Sequence, residues 1–194
     1  MLSLESYVAT MNDLNVETWI AHGALIGWYW NKRFLPWDTD VDVHVSAEGI
    51  NLLGQSYNMT EYRYPANEGL ASRTYLLDIN PHYTITSNQD VANKIDARWI
   101  DKSNGKFIDI TAVHRKNVEQ GNVMSSTLFC KDGHEYQESD VYPLQESKLE
   151  GVKVKVPVEA AKLIRAEYGK KVLTNDHFHW HRFNRVTNTW EFEG

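Results

Sequence analysis

The chain has 194 residues, 42% of them apolar, and a formal net charge of −6. That length and apolar content suit one domain with its own core, spanning 1–194, and exclude a disordered chain. No apolar run approaches the roughly 18 residues that would span a membrane. The net acidity argues against nucleic acid as a partner, because phosphate backbones call for clustered Lys and Arg. One cysteine, Cys130, excludes an internal disulfide.

Residues 3–14 read as a helix, with Ser3 as its cap and Leu4, Tyr7, Val8, Met11 and Leu14 at helical spacing. Residues 16–21 are β-branched and aromatic and read as a short strand that ends in His22-Gly23. A second helix is expected over 24–34, offering Leu25, Ile26, Tyr29 and Trp30 for burial, and Pro36 stops it.

The next stretch, Pro36-Trp37-Asp38-Thr39-Asp40-Val41-Asp42-Val43-His44-Val45, dominates the reading. As a strand it places Asp38, Asp40 and Asp42 on one face and the valines on the other. Three ionised carboxylates in a row repel one another, and Asp is a poor strand former. A cation offsets that repulsion, and hard carboxylate oxygens suit Mg²⁺, Mn²⁺ or Ca²⁺. An acidic surface turn without a ligand is the plain alternative. A calcium-binding EF-hand loop is excluded, since Val43 stands where that loop needs glycine and Gly49 where it needs a bidentate Glu. Gly23, just before the second helix, lets a backbone approach a ligand closely at a helix N-terminus, where free N–H groups favour phosphate.

Residues 19–30 read Trp-Ile-Ala-His-Gly-Ala-Leu-Ile-Gly-Trp-Tyr-Trp, and residues 35–43 read Leu-Pro-Trp-Asp-Thr-Asp-Val-Asp-Val. Together these two motifs resemble the LicD family. The family includes bacterial phosphocholine transferases, fukutin, fukutin-related protein and fungal proteins tied to mannosyl-phosphate addition, and the wording is closest to the fungal branch. The resemblance implies an α+β nucleotidyltransferase fold, a mixed β-sheet with flanking helices. It implies that Gly23 holds nucleotide phosphates and that Asp40 and Asp42 are the metal-binding pair. Thr39 departs from the family's usual aspartate, outside that pair.

Further along, residues 49–58 read as a short helix, 57–66 as a loop, 73–79 as a strand and 82–85 as a hairpin arm. Strands at 96–101 and 107–113 flank a hairpin turn at 102–106. Asp109 is an acid inside an apolar strand, between Ile108 and Ile110. It reads either as a strand-edge residue with one hydrogen bond or as the third carboxylate that spacing and resemblance both support. In the latter role it positions metal or acts as general base. Arg98 and Arg73 are candidate phosphate ligands, with surface salt bridges as the alternative. His22 and His44 flank the proposed site as packing or supporting residues, and His22 joins Gly23 and Arg98 as a candidate nucleotide contact.

Residues 115–150 read as polar and turn-rich, and Cys130 with His134 cannot close a zinc site alone. Strands are expected around a turn within 142–154, then a helix from Pro157 to Tyr168 ended by Gly169. His177, His179 and His181 alternate, so a strand would put them on one face with Phe178 and Trp180 turned inward. The later Pro-Leu, Glu-Gly, Val-Pro and Glu-Tyr-Gly series extends the resemblance over roughly residues 16–183.

The function this implies is transfer of a phosphorylated small group to a carbohydrate hydroxyl with Mg²⁺ or Mn²⁺. The donor would be a nucleotide diphosphate conjugate such as CDP-choline, CDP-ribitol or GDP-mannose. A catalytically silent regulator of glycan phosphorylation is the rival reading. The compartment is open: cytoplasmic, or the Golgi lumen if this is one domain of a longer anchored protein.

Overall fold

A computed structural model of the chain describes residues 2–65, 71–87, 89–90, 92–120 and 123–194. Helix α1 (Leu2–Asp13) buries Leu4, Tyr7 and Met11, which recur every three to four residues. They join the core cluster that holds Trp99, a fully enclosed side chain of the sheet. The Tyr7 ring meets the Trp99 ring edge-on at 6.2 Å, and Trp99 Nε1 donates to Ser6 Oγ at 3.1 Å, so the buried indole keeps its partner. The helix starts before the expected cap. Ser3 lies inside it and its carbonyl accepts from Ser6 Oγ.

Strand β1 (Thr18–Ile20) leads into α2 (His22–Asn31), β2 (Asp42–Ser46) and α3 (Ala47–Ser56). Ser46 caps α3 by accepting from the Gly49 amide at 3.0 Å. Then come β3 (Thr60–Tyr64), β4 (Arg73–Ile79), β5 (Ala97–Asp101), β6 (Phe107–Gln120), β7 (Val123–Phe129) and β8 (Glu135–Gln137). Among the described residues these eight strands form one sheet in the order β1-β2-β6-β5-β4-β3, with β7 and β8 continuing from β6. Strands β2 and β6 run parallel; their neighbours pair antiparallel. The fold is therefore α+β with a mixed sheet, as expected.

The remaining elements are α4 (Glu138–Val141), β9 (Gln145–Leu149), β10 (Val152–Val156), α5 (Ala160–Tyr168), a 3₁₀ turn (Lys170–Leu173) and the three-stranded sheet β11 (His177–Phe178), β12 (His181–Asn184) and β13 (Thr189–Phe192). Helix α5 packs beside α2, which brings the later part of the chain against the aspartate stretch.

Several expectations need correction. The segment read as a loop at 57–66 holds β3, an edge strand, and residues 66–70 lie outside the described residues. Residues 82–85 form a turn rather than a hairpin arm. The turn-rich reading of 115–150 misses the end of β6 and strands β7 and β8, with 121–122 outside the described residues. His177 and His181 sit on two strands of one hairpin, and His179 and Trp180 form its turn with φ of 47° and 61°. Two successive left-handed residues reverse the chain, so the three histidines do not share one strand face. Phe178 and Trp180 are exposed rather than turned inward.

Candidate functional site

Two glycines place the aspartate stretch. A Cβ at Gly27 would lie 2.2 Å from the Arg33 carbonyl oxygen, and one at Gly23 would lie 2.2 Å from Asp38 Oδ2. Positions four apart share a helix face. After the left-handed residue Lys32 ends α2, the chain therefore runs back along that face and sets Asp38 over the helix's first turn. The room that Gly23 leaves is taken by the Asp38 carboxylate, an anion at the positive end of a helix. Burial pushes the Asp38 carboxyl up to about 7, helped by its hydrogen bond to Asp40 and by the charges of Asp40 and Asp42.

The strand expected over this stretch begins only at Asp42. Asp38 and Asp40 precede it in backbone without strand pairing, consistent with the repulsion and poor strand propensity of closely spaced aspartates. What brings acids together is the sheet. Asp42 opens β2 directly opposite Asp109 on β6, and the Asp109 amide donates to the Val41 carbonyl at 2.9 Å. Carboxylate oxygens of Asp40, Asp42 and Asp109 all lie within 4.8 Å of one another, so these three residues could hold a metal ion. Burial pushes the Asp42 carboxyl up to about 6; His22 opposes the shift, while Asp40, Asp109 and Asp132 add to it. Arg98 stands opposite Asp109 on β5 and its Nε donates to Asp109 Oδ1 at 2.8 Å. Arg73 is not brought here. It pairs with Asp101 and lies five residues along β4 from Asp78, the residue opposite Arg98, which is roughly 17 Å of strand.

Behind the acids lies a second polar group that the sequence reading only touches. His22 has a left-handed φ of 46° and its Nδ1 lies 2.9 Å from Glu167 Oε2 on α5. Tyr136 donates to the other oxygen, Oε1, at 2.8 Å. Burial alone would lower the His22 imidazole, but the Glu167 hydrogen bond and charge outweigh it and the net shift is upward. His44 is buried edge-on to His22, ring centres 5.0 Å apart, and burial with the neighbouring His22 and His134 charges holds it well below the usual range. Glu167 sits within the Glu-Tyr-Gly signature, a position that the sequence marks for resemblance but not for chemistry.

A cleft of about 410 Å³ opens beside the acids. Trp30, Trp37, Tyr168, Phe178 and Trp190 line it together with Lys171, Asp38 and Asp42. Trp37 anchors the aromatic wall, with ring centres 5.0 Å from Trp190 and 5.6 Å from Phe178. The C-terminal hairpin thus contributes a wall of this cleft through Phe178 and Trp190. A larger cavity of about 540 Å³ lies between α1, β1 and β10, and no aspartate of the cluster lines it.

This arrangement can be set beside known proteins. Residues 15–159 match the family model described as LicD/FKTN/FKRP, nucleotidyltransferase domain. Mannosyltransferase regulator 4 of Saccharomyces cerevisiae is 30% identical over 113 residues, which cover 58% of this chain and 9% of that protein. Mannosyltransferase regulator 14 of the same organism is 32% identical over 96 residues, 50% of this chain and 10% of that protein. The aligned stretch thus spans about a tenth of the curated relatives' length. With the match running through β2, β6 and the acids they carry, the chain belongs to the LicD/FKTN/FKRP family and contains its nucleotidyltransferase domain.

Proposed function

We propose that this domain is a metal-dependent transferase that moves a phosphorylated small group from a nucleotide diphosphate conjugate to a carbohydrate hydroxyl. The observation that carries this reading is the convergence of Asp40, Asp42 and Asp109, three oxygen donors from two parallel strands and the stretch before one of them. Such a donor set fits Mg²⁺ or Mn²⁺. The bound ion supplies charge neutralisation for the diphosphate and for the departing nucleoside monophosphate.

The chain's own residues do the rest. The first amides of α2 lack intrahelical partners, and the donor phosphates displace the Asp38 carboxylate that fills the room beside Gly23 at that end. Arg98, next to Asp109, binds a phosphate oxygen. Asp109 takes the proton of the attacking hydroxyl. The aromatic cleft that Asp38 and Asp42 also line packs against the apolar face of a sugar ring and holds the acceptor in line.

A second reading, a catalytically silent regulator or scaffold of glycan phosphorylation that has no need of a metal-bound nucleotide, is favoured by the names of the two yeast relatives. A thermal-shift screen separates them, using CDP-choline, CDP-ribitol and GDP-mannose with and without Mg²⁺ or Mn²⁺. A ligand at 100 times its Kd stabilises the native state by about 2.7 kcal/mol. The transferase reading expects at least one conjugate to raise the Tm only with the ion, and to lose that effect in Asp42→Asn. No metal-dependent shift with any conjugate supports the regulator instead.

A further inference from the structure

We propose that His22, His134 and Glu167 form a second metal site, suited to a zinc-class ion and distinct from the three-aspartate cluster. One nitrogen or carboxylate oxygen from each of the three lies within 4.8 Å of the others. They come from separate parts of the chain: the first residue of α2, the turn before β8, and α5. None of this depends on the transferase reading, because the two clusters share no residue.

The geometry is close to what an ion needs. His22 Nδ1 and Glu167 Oε2 are 2.9 Å apart. Two ligands of a tetrahedral zinc, each about 2.0–2.1 Å from it, sit roughly 3.3 Å from each other. The pair must therefore open by only a few tenths of an ångström. The His134 ring lies 5.3 Å from that of His22, and its side chain is 32% exposed on a short turn, so it can swing inward and leave an entry path.

The donor chemistry separates this cluster from the aspartates. Two imidazoles and a carboxylate are the protein ligands of a zinc site with one open position. Three carboxylates favour a harder ion. The surroundings also have the form of a ligand shell. Tyr136 holds the second oxygen of Glu167, as partners of ligating carboxylates do. His44, only 4% exposed, stands edge-on to His22 and its Nε2 has no hydrogen-bond partner. His134 Nε2 has only a long contact, 3.5 Å to Asp132 Oδ2, which an ion would replace. An ion here would pin the left-handed His22, and with it the start of α2 and Gly23, to α5.

The test uses the tag-free chain stripped of metal, titrated with Zn²⁺ by calorimetry and with Co²⁺ by visible absorption. The expected result is one Zn²⁺ per chain and the intense visible bands of four- or five-coordinate Co²⁺. Glu167→Gln and His134→Ala should each weaken Zn²⁺ on the order of 100-fold, and Tyr136→Phe about 10-fold. Asp40→Asn, in the other cluster, should change it by no more than about 2-fold. Metal-free melting curves establish that each variant is folded; if a ligand variant is not, Tyr136→Phe, which keeps the packing, decides. The proposal is overturned by no Zn²⁺ binding, by unchanged affinity in the folded variants of this cluster, or by a large loss in Asp40→Asn, which would move the ion to the aspartates.

Discussion

Asp42 and Asp109 face each other in register across the parallel strands β2 and β6, and Arg98 stands opposite Asp109 on the next strand. The row thus runs acid, acid, base. With Asp40 alongside, three carboxylates meet one guanidinium, and full ionisation leaves two negative charges. A divalent cation would close that difference, as the proposed transferase reading requires.

Gly23→Ala tests the packing of the aspartate stretch on α2. The added methyl would meet Asp38 Oδ2 at 2.2 Å. Alanine gains up to about 1 kcal/mol in a helix, while overpacking costs about 1–3 kcal/mol, so the net loss of stability should stay within about 3 kcal/mol. In an Asp38→Ala background the clash is gone and Gly23→Ala should be neutral or stabilising. Urea unfolding of the four proteins closes the cycle. An equal cost in both backgrounds would show that Asp38 is not what Gly23 accommodates.

The raised carboxyls set a pH dependence. Asp42 is pushed up to about 6 and Asp38 to about 7 by burial and neighbouring acids. In the metal-free native state both hold protons more tightly than in the unfolded chain. Between about pH 4 and 7 the native state therefore binds more protons, and the contribution of these groups to stability falls as pH rises through that window. Relative to Asp42→Asn, metal-free wild type should gain Tm on acidification from about pH 7.5 to about pH 5, and stabilisation by Mg²⁺ should shrink over the same range. A Tm difference between the two proteins that stays flat with pH would contradict this.

Lys131 and Asp96 form an ion pair with both side chains fully enclosed, Nζ to Oδ1 at 2.6 Å. Nζ also donates to the His82 carbonyl and Asn93 Oδ1, each at 3.1 Å, and Asp96 Oδ2 accepts from the Ala112 amide at 2.8 Å. The pair fastens the turn that carries His134 to the start of the strand that carries Arg98. Lys131→Met strands a buried carboxylate and should cost about 3–5 kcal/mol. Adding Asp96→Asn keeps an acceptor for Ala112 and removes the charge, so the double variant should recover part of the loss. Chemical denaturation measures both; a single-variant loss below about 1 kcal/mol would contradict the role given to the pair.

What the sequence reveals follows what each signal depends on. The strand over 73–79 is legible because Tyr75, Leu77 and Ile79 alternate into the core. Strand β3 alternates too, but at the sheet edge, where Tyr62 and Tyr64 stay partly exposed and Glu61 and Arg63 dilute the pattern. The hairpin at 177–184 is hidden because its turn uses His179 and Trp180 in left-handed conformations without a glycine to mark it. Asp40, Asp42 and Asp109 stand out by their setting among valines and isoleucines, and the parallel register then brings Asp42 and Asp109 together. The path of Asp38 back to Gly23 is not readable, since it depends on the chain folding over the face of α2. Glu167 and Lys131 gain their meaning from partners 145 and 35 positions away, and no local spacing encodes that.

The claim that the acids bind a divalent cation is tested most directly by Mn²⁺ binding followed by electron paramagnetic resonance, comparing wild type with Asp42→Asn and Asp109→Asn. Each variant keeps the side-chain shape and removes one charge. At neutral pH the wild type should take up Mn²⁺ with loss of the free-ion signal, more tightly with a nucleotide diphosphate conjugate present, and Mg²⁺ should compete for the same site. Both variants should bind at least about 10-fold more weakly while remaining folded. Wild-type protein that leaves the free Mn²⁺ signal unchanged at millimolar ion, with or without nucleotide, would contradict the account.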